Sequence, residues 1–106
     1  MDSNLRILGL AKKAGLLAVG TEPVETAAKL GKAVVILSAS DASDRSKRNA
    51  QICAEMCGAE HIEVPYTKFD LGCMLGRGTP GMVAVLDAGL AAKFTNGLVD
   101  TNANMG

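Results

Sequence analysis

The chain has 106 residues, 48% of them apolar, with one tyrosine, two phenylalanines and no tryptophan. That length suits one domain, and the apolar share excludes a disordered chain. Eleven basic residues balance eleven acidic ones, which argues against strong non-specific binding to nucleic acid, and so few aromatic rings leave little platform for stacking single-stranded bases.

At the N-terminus Asp2 follows Met1, and the apolar run from Leu5 is interrupted by Arg6, Gly9 and Lys12. This is not the pattern of a secretory signal. No apolar stretch approaches the roughly 20 residues of a membrane span. Three cysteines without a framework spacing fit a reducing compartment. The expectation is a cytoplasmic protein without membrane attachment.

A first helix is predicted over residues 3–14, with Ile7, Leu8, Ala11 and Ala14 on one stripe and Gly15 as its stop. Residues 16–19 read as a short strand. A second helix follows over 22–30, with Thr21 as its cap, Pro23 tolerated in the first turn, and Val24, Ala27 and Ala28 on the core face. Glu22, Thr26 and Lys29 share the other face. AVVIL, residues 33–37, is apolar without alternation, as in a strand covered on both faces. After the loop SASDAS, a third helix runs to Cys57, capped by Asp41 or Ser43. It buries Ala50, Cys53 and Cys57, with Ile52 and Met56 beside them.

Residues 62–64 form a strand of period two. Thr67, with Asp70 three residues later, signals a capping box for a short fourth helix to Leu75. GRGTPG is a loop, residues 82–86 a second fully apolar strand, and residues 88–95 the last helix. The small polar tail from Asn96 is expected to fray. Alternation of strands and helices implies parallel, right-handed crossovers. The compact solution is a three-layer α/β/α sandwich on a four-stranded mixed sheet. One domain is expected over residues 1–98, with a short polar tail over 99–106.

The candidates for chemistry are few. GRGTPG has the spacing G-x-G-x-x-G but leaves a helix and enters a strand, the reverse of a dinucleotide fingerprint. Arg77 and Thr79 on that loop can still touch a phosphate. Cys53, Cys57, Cys73 and His61 contain no C-x-x-C pair, and buried small hydrophobes explain the cysteines better than zinc ligands. His61 is expected at the surface. Arg45, Lys47 and Arg48 form the densest positive cluster, read as a solvated face with local ion pairs. Ser38, Ser40 and Ser43 have no histidine near in sequence, so no nucleophile, base and orienter can be assembled. No catalytic residue, metal or cofactor is expected.

GTEPVETAAK, residues 20–29, raises a further possibility. Gly20 permits close approach of a backbone or base, and the amides of a helix N-terminus can donate to an anion. Thr21 and Thr26 can hydrogen-bond, Glu22 can accept from amino groups on base edges, and Lys29 can reach a phosphate. A capped helix with no further role explains the same residues equally well.

The chain resembles the bacterial YlxQ-like proteins of the L-seven-Ae / L-thirty-e ribosomal protein family. The segments that carry the resemblance are LGLAKKAG, GTEPVETAAKLGKAVVILSASDAS, the Leu71-Gly72 step and MVAVLDAGLAAKF, covering Leu8 to about Phe94. The resemblance implies an α/β/α sandwich that binds kink-turn RNA without catalysis, through the start of the second helix and the loop before the last strand. The residues implied are Gly20, Thr21, Glu22, Thr26, Lys29 and Lys32, with Arg77, Gly78 and Thr79. The family pattern G-x-N-E-x-x-K keeps its glycine here, while Glu22, Pro23 and Thr26 replace the asparagine, the glutamate and the lysine. The implied partners are RNA and the ribosome, with no DNA or membrane. The alternative is a protein-interaction module that kept the fold and lost the RNA.

Overall fold

The computed structural model describes residues 3–76 and 78–105, with side chains as far as residue 98. Helices and strands alternate: α1 (Ser3–Lys13), β1 (Leu17–Val19), α2 (Thr21–Lys29), β2 (Val35–Ser38), α3 (Asp44–Cys57), β3 (Glu60–Glu63), α4 (Lys68–Leu75), β4 (Met82–Val85) and α5 (Ala88–Met105). The strands form a mixed sheet in the order β1-β4-β2-β3.

β2 and β3 are parallel, with Val35 opposite Glu60. β4 lies antiparallel to both its neighbours, Val85 facing Leu17 on one side and Val35 on the other. The parallel crossovers expected from the alternation are therefore incomplete. β1, β2 and β3 do run the same way, but residues 64–81 leave the sheet and re-enter it at the same end. The strand they deliver must run backwards, and it inserts between β1 and β2.

β2 and β4 are buried along their whole length, as unbroken apolar sequence requires. Their side chains alternate between two cores. Val35, Leu37, Val83 and Val85 join Leu5 and Leu8 of α1, Leu71 and Leu75 of α4, and Phe94 of α5. Ile36, Met82 and Ala84 join Val24, Ala27 and Ala28 of α2 and Ala50, Cys53 and Ala54 of α3. The first layer is filled by large side chains, and burying each Leu or Phe contributes about 1.5–3 kcal/mol. The second is mostly alanine, which brings α2 and α3 close to the sheet. Together the layers make the three-layer sandwich.

The local signals hold in several places. Ser43 caps α3, its Oγ accepting from the Ser46 amide at 3.1 Å. Thr67 and Asp70 close the capping box of α4, each side chain accepting from the other's amide at 3.1 Å. Other expectations change: Ala14, expected on the core stripe of the first helix, lies past the end of α1 and is exposed, and Cys57 is half-buried. Ile52 and Met56 are 50% and 55% exposed on the outer face of α3, because Ile52 lies about 200° round the helix from buried Ala50. The last helix also does not stop at Thr95 but continues to Met105. The helix packs on α1 at Gly97, which lies against Asn4 so closely that a Cβ would collide with the carboxamide.

Among the described residues no helix is long and apolar enough to cross a membrane.

Candidate nucleic-acid interface

Because β1, β2 and β3 share one direction, the helices that follow them all begin at the same end of the sheet. β4 also begins there, since Met82 pairs with Ser38, the last residue of β2. Three helix N-termini and the loop before β4 therefore converge on one end. Main-chain bonds tie these segments together. The Gly20 amide donates to Met82 O at 3.0 Å, Ala39 to Gly81 O at 2.9 Å, and Ser40 to Tyr66 O at 2.8 Å. Asp41 Oδ1 accepts from the Lys68 amide at 2.8 Å, joining the SASDAS loop to the start of α4.

The start of α2 differs from that of its neighbours. Its N-cap is Gly20, at φ 98° and ψ 168°, and no side chain caps the helix. Thr21, expected as the cap, is instead the first helical residue. A glycine cap carries no oxygen to accept from the first turn, and Pro23 has no donor to offer. The amides of Thr21 and Glu22 are the donors left for an incoming acceptor. By contrast, α3 and α4 have their first turns closed by Ser43 and Thr67.

The other expected residues distribute as follows. Thr21, Glu22, Thr26 and Lys29 are exposed along α2, with Gly20 half-buried at its start. Lys29 lies in the last turn, about 12 Å along the axis from Thr21. Lys32 lies beyond the helix, its amide donating to Ala27 O at 2.9 Å. Gly78 and Thr79 are exposed on the loop that enters β4. Arg77 lies outside the described residues.

Sequence reasoning left Arg45 and Arg48 on a solvated face, yet the tertiary structure places them in the first turns of α3, at the same end as Gly20. Both are exposed, and neither makes an ion pair among the described residues. Lys47 is committed elsewhere, pairing with Glu63 at 2.9 Å and donating to Ser40 O at 3.3 Å. Nothing local in DASDRSKR distinguishes these three cations.

His61 is corrected from surface residue to half-buried brace. Its Nε2 lies 2.9 Å from Ser38 Oγ, and its Nδ1 lies 3.0 Å from Gln51 Oε1. The carboxamide oxygen takes the Nδ1 proton, so Nε2 accepts from the Ser38 hydroxyl. Burial lowers the His61 pKa, and Glu63 opposes that shift. The parallel register of β2 and β3 creates this trio, which is invisible in sequence. It does not make a nucleophile: Ser38 is 0% exposed, and a neutral glutamine does not stabilise an imidazolium.

Cys53 and Cys57 sit on α3 and Cys73 on α4, on opposite sides of the sheet. Burial, then nearby Glu25, pushes the Cys53 thiol up and keeps it unreactive. Among the described residues no cluster of three or more His, Cys, Asp or Glu could hold a metal ion.

No protein-family model matches the chain, and no curated protein matches it in sequence. Solved structures do share its architecture. A protein of unknown function from Bacillus halodurans is 26% identical, with a TM-score of 0.81 over 92% of this chain and 97% of that one. The 15.5kD RNA-binding protein of Giardia lamblia is 14% identical, with a TM-score of 0.69 over 93% of this chain and 84% of its own. At that identity the second likeness is one of fold.

Proposed function

We propose that this is a non-catalytic, cytoplasmic RNA-binding protein, associated with the ribosome or translation, that recognises kink-turn-like or looped RNA. The observation that carries the reading is the uncapped start of α2 beside the loop that enters β4. The resemblance to the YlxQ-like proteins assigns RNA contact to these two segments, and the fold shared with a Giardia RNA-binding protein supports it.

Bent RNA exposes phosphates and the edges of unpaired bases, which a protein reads by shape and local hydrogen bonds. The Thr21 and Glu22 amides donate to such an acceptor, helped by the positive end of the helix dipole. The Glu22 carboxylate accepts from an exposed base amino group. Gly20 keeps the approach clear of a side chain. Lys29, Arg45 and Arg48 supply charge toward the phosphates. With Thr26 where the family pattern has lysine, few cations face the RNA. Affinity should be modest, with a shallow salt dependence.

The test is a titration of the full chain against a labelled kink-turn duplex, with an unbent duplex as control, at two salt concentrations. Selective binding that weakens with salt is expected, and a Lys29→Ala variant should bind more weakly. Equal or absent binding to both duplexes refutes the reading. A second reading, a protein-interaction module on the same fold, is favoured by exposed Ile52 and Met56 on α3. It would be upheld if the duplexes fail while substitution of those two residues abolishes a nuclease-resistant complex.

A further inference from the structure

On the side of the sheet away from α2 and α3, a groove of about 1020 Å³ lies between α1 and α4. The helices close at its base, where a Cβ on Gly9 would stand 3.0 Å from Met74 Sδ. Arg6, Leu10 and Lys13 are spaced four and three apart and form one stripe along α1. Phe69 and Cys73 form the facing stripe on α4. Leu10 is 61% exposed and Phe69 is 69% exposed. Large apolar side chains are thus left facing water across a shared depression, over a floor that includes Leu5 and Met74.

The rim is predominantly basic. Arg6, Lys12 and Lys13 line the groove, and none makes an ion pair among the described residues. The lining carboxylate, Asp70, is held by the amide of Thr67 in the capping box. An occupant that satisfies both features is apolar on one side and acidic on its flanks. A nucleic-acid backbone matches the cations but leaves Leu10 and Phe69 wet.

We propose that the groove between α1 and α4 docks a short acidic, amphipathic segment of a partner protein. Large apolar side chains of that segment lie between Leu10 and Phe69, and its carboxylates pair with Arg6, Lys12 and Lys13. Each wall spans about seven residues of helix, or about 10 Å, so the segment is about two helical turns long. Helix-in-groove recognition of this kind relies on anchors at helical spacing, with flanking charge setting specificity. The groove lies on the opposite face of the sheet from α2, and the inference does not depend on that reading.

The probe is a fluorescein-labelled helical peptide of about 12 residues, with Leu and Phe on one face and Glu on its flanks, read by anisotropy against the full chain. Its control carries Lys in place of Glu. The Glu peptide is expected to bind in the micromolar range, and the Lys peptide about tenfold more weakly or worse. Leu10→Ser with Phe69→Ser alters exposed positions and should leave the circular dichroism unchanged while weakening the Glu peptide about tenfold. Lys12→Glu with Lys13→Glu should lower affinity for the Glu peptide and raise it for the Lys peptide. Equal binding of the two peptides, or none at millimolar protein, overturns the proposal. So does loss of kink-turn RNA binding in the serine variant with the peptide unaffected, which would assign the groove to RNA.

Discussion

Replacing Gly20 with alanine tests the geometry on which the α2 start depends. At φ 98° and ψ 168° the backbone occupies a region that only glycine adopts readily, and holding another residue there costs about 1–3 kcal/mol. Steric contact adds nothing, because the nearest atom to a new Cβ is Pro23 Cδ at 3.9 Å. If the backbone relaxes instead, the 3.0 Å bond from the Gly20 amide to Met82 O is lost, at about 1 kcal/mol. Either route lowers stability. A loss of about 1–3 kcal/mol in a domain of this size lowers the melting temperature by roughly 4–20 °C. Gly20→Ser should fare no better, since capping by a side chain requires a cap residue in the extended region. Thermal melts followed by circular dichroism measure both. An alanine variant that melts with the parent would refute the backbone geometry, and with it the account of why this helix is left uncapped. RNA titration of the same variant below its melting range should show weakened kink-turn binding, because the amides of Thr21 and Glu22 would no longer be held in place.

Other consequences concern pH, packing and charge. The chain has one histidine, and burial lowers its pKa in the folded state from the ordinary value of about 6.5. As pH falls below about 6.5 the unfolded chain takes up a proton that the folded one resists, so stability is present above that pH and declines toward the folded pKa. Urea melts at neutral and mildly acidic pH should show this decline, and His61→Gln should remove His61's contribution to it. Gly97→Ala drives a methyl group into the Asn4 carboxamide and should cost about 1–3 kcal/mol; a melting temperature equal to the parent's would show that α1 and α5 are not in such close contact. Arg45→Gln with Arg48→Gln should leave stability within about 0.5 kcal/mol, because both side chains are exposed and unpaired among the described residues. The same pair should flatten the salt dependence of RNA binding, and an unchanged slope would remove these two residues from the interface.

Much of the fold was legible in sequence because its signals are local. The unbroken apolar runs around Ile36 and Ala84 could only be strands buried on both faces. Thr67 and Asp70, and Asp41 or Ser43, announced helix starts by side-chain chemistry that acts within three residues, and the structure chose Ser43 for the cap of α3. Where local signals competed, the reading slipped. Thr21 is a good capping residue by type, but the chain needs Gly20's backbone at that point, and the helix begins one residue earlier. Ile52 and Met56 are apolar enough for a core, yet the alanine face of α3 is the one narrow enough to pack on the sheet.

What the sequence determined by itself was the set of elements and their order. Hydrogen bonding within a helix and the periodicity of burial both act over a few residues and are written in consecutive positions. The tertiary structure decided the direction of β4, the pairing of Ser38 with His61, and the gathering of Gly20, Gly81 and Arg45 at one end of the sheet. It also decided the groove in which Leu10 faces Phe69. Each of these joins residues far apart in the chain, and only the packing of whole elements against one another brings them together.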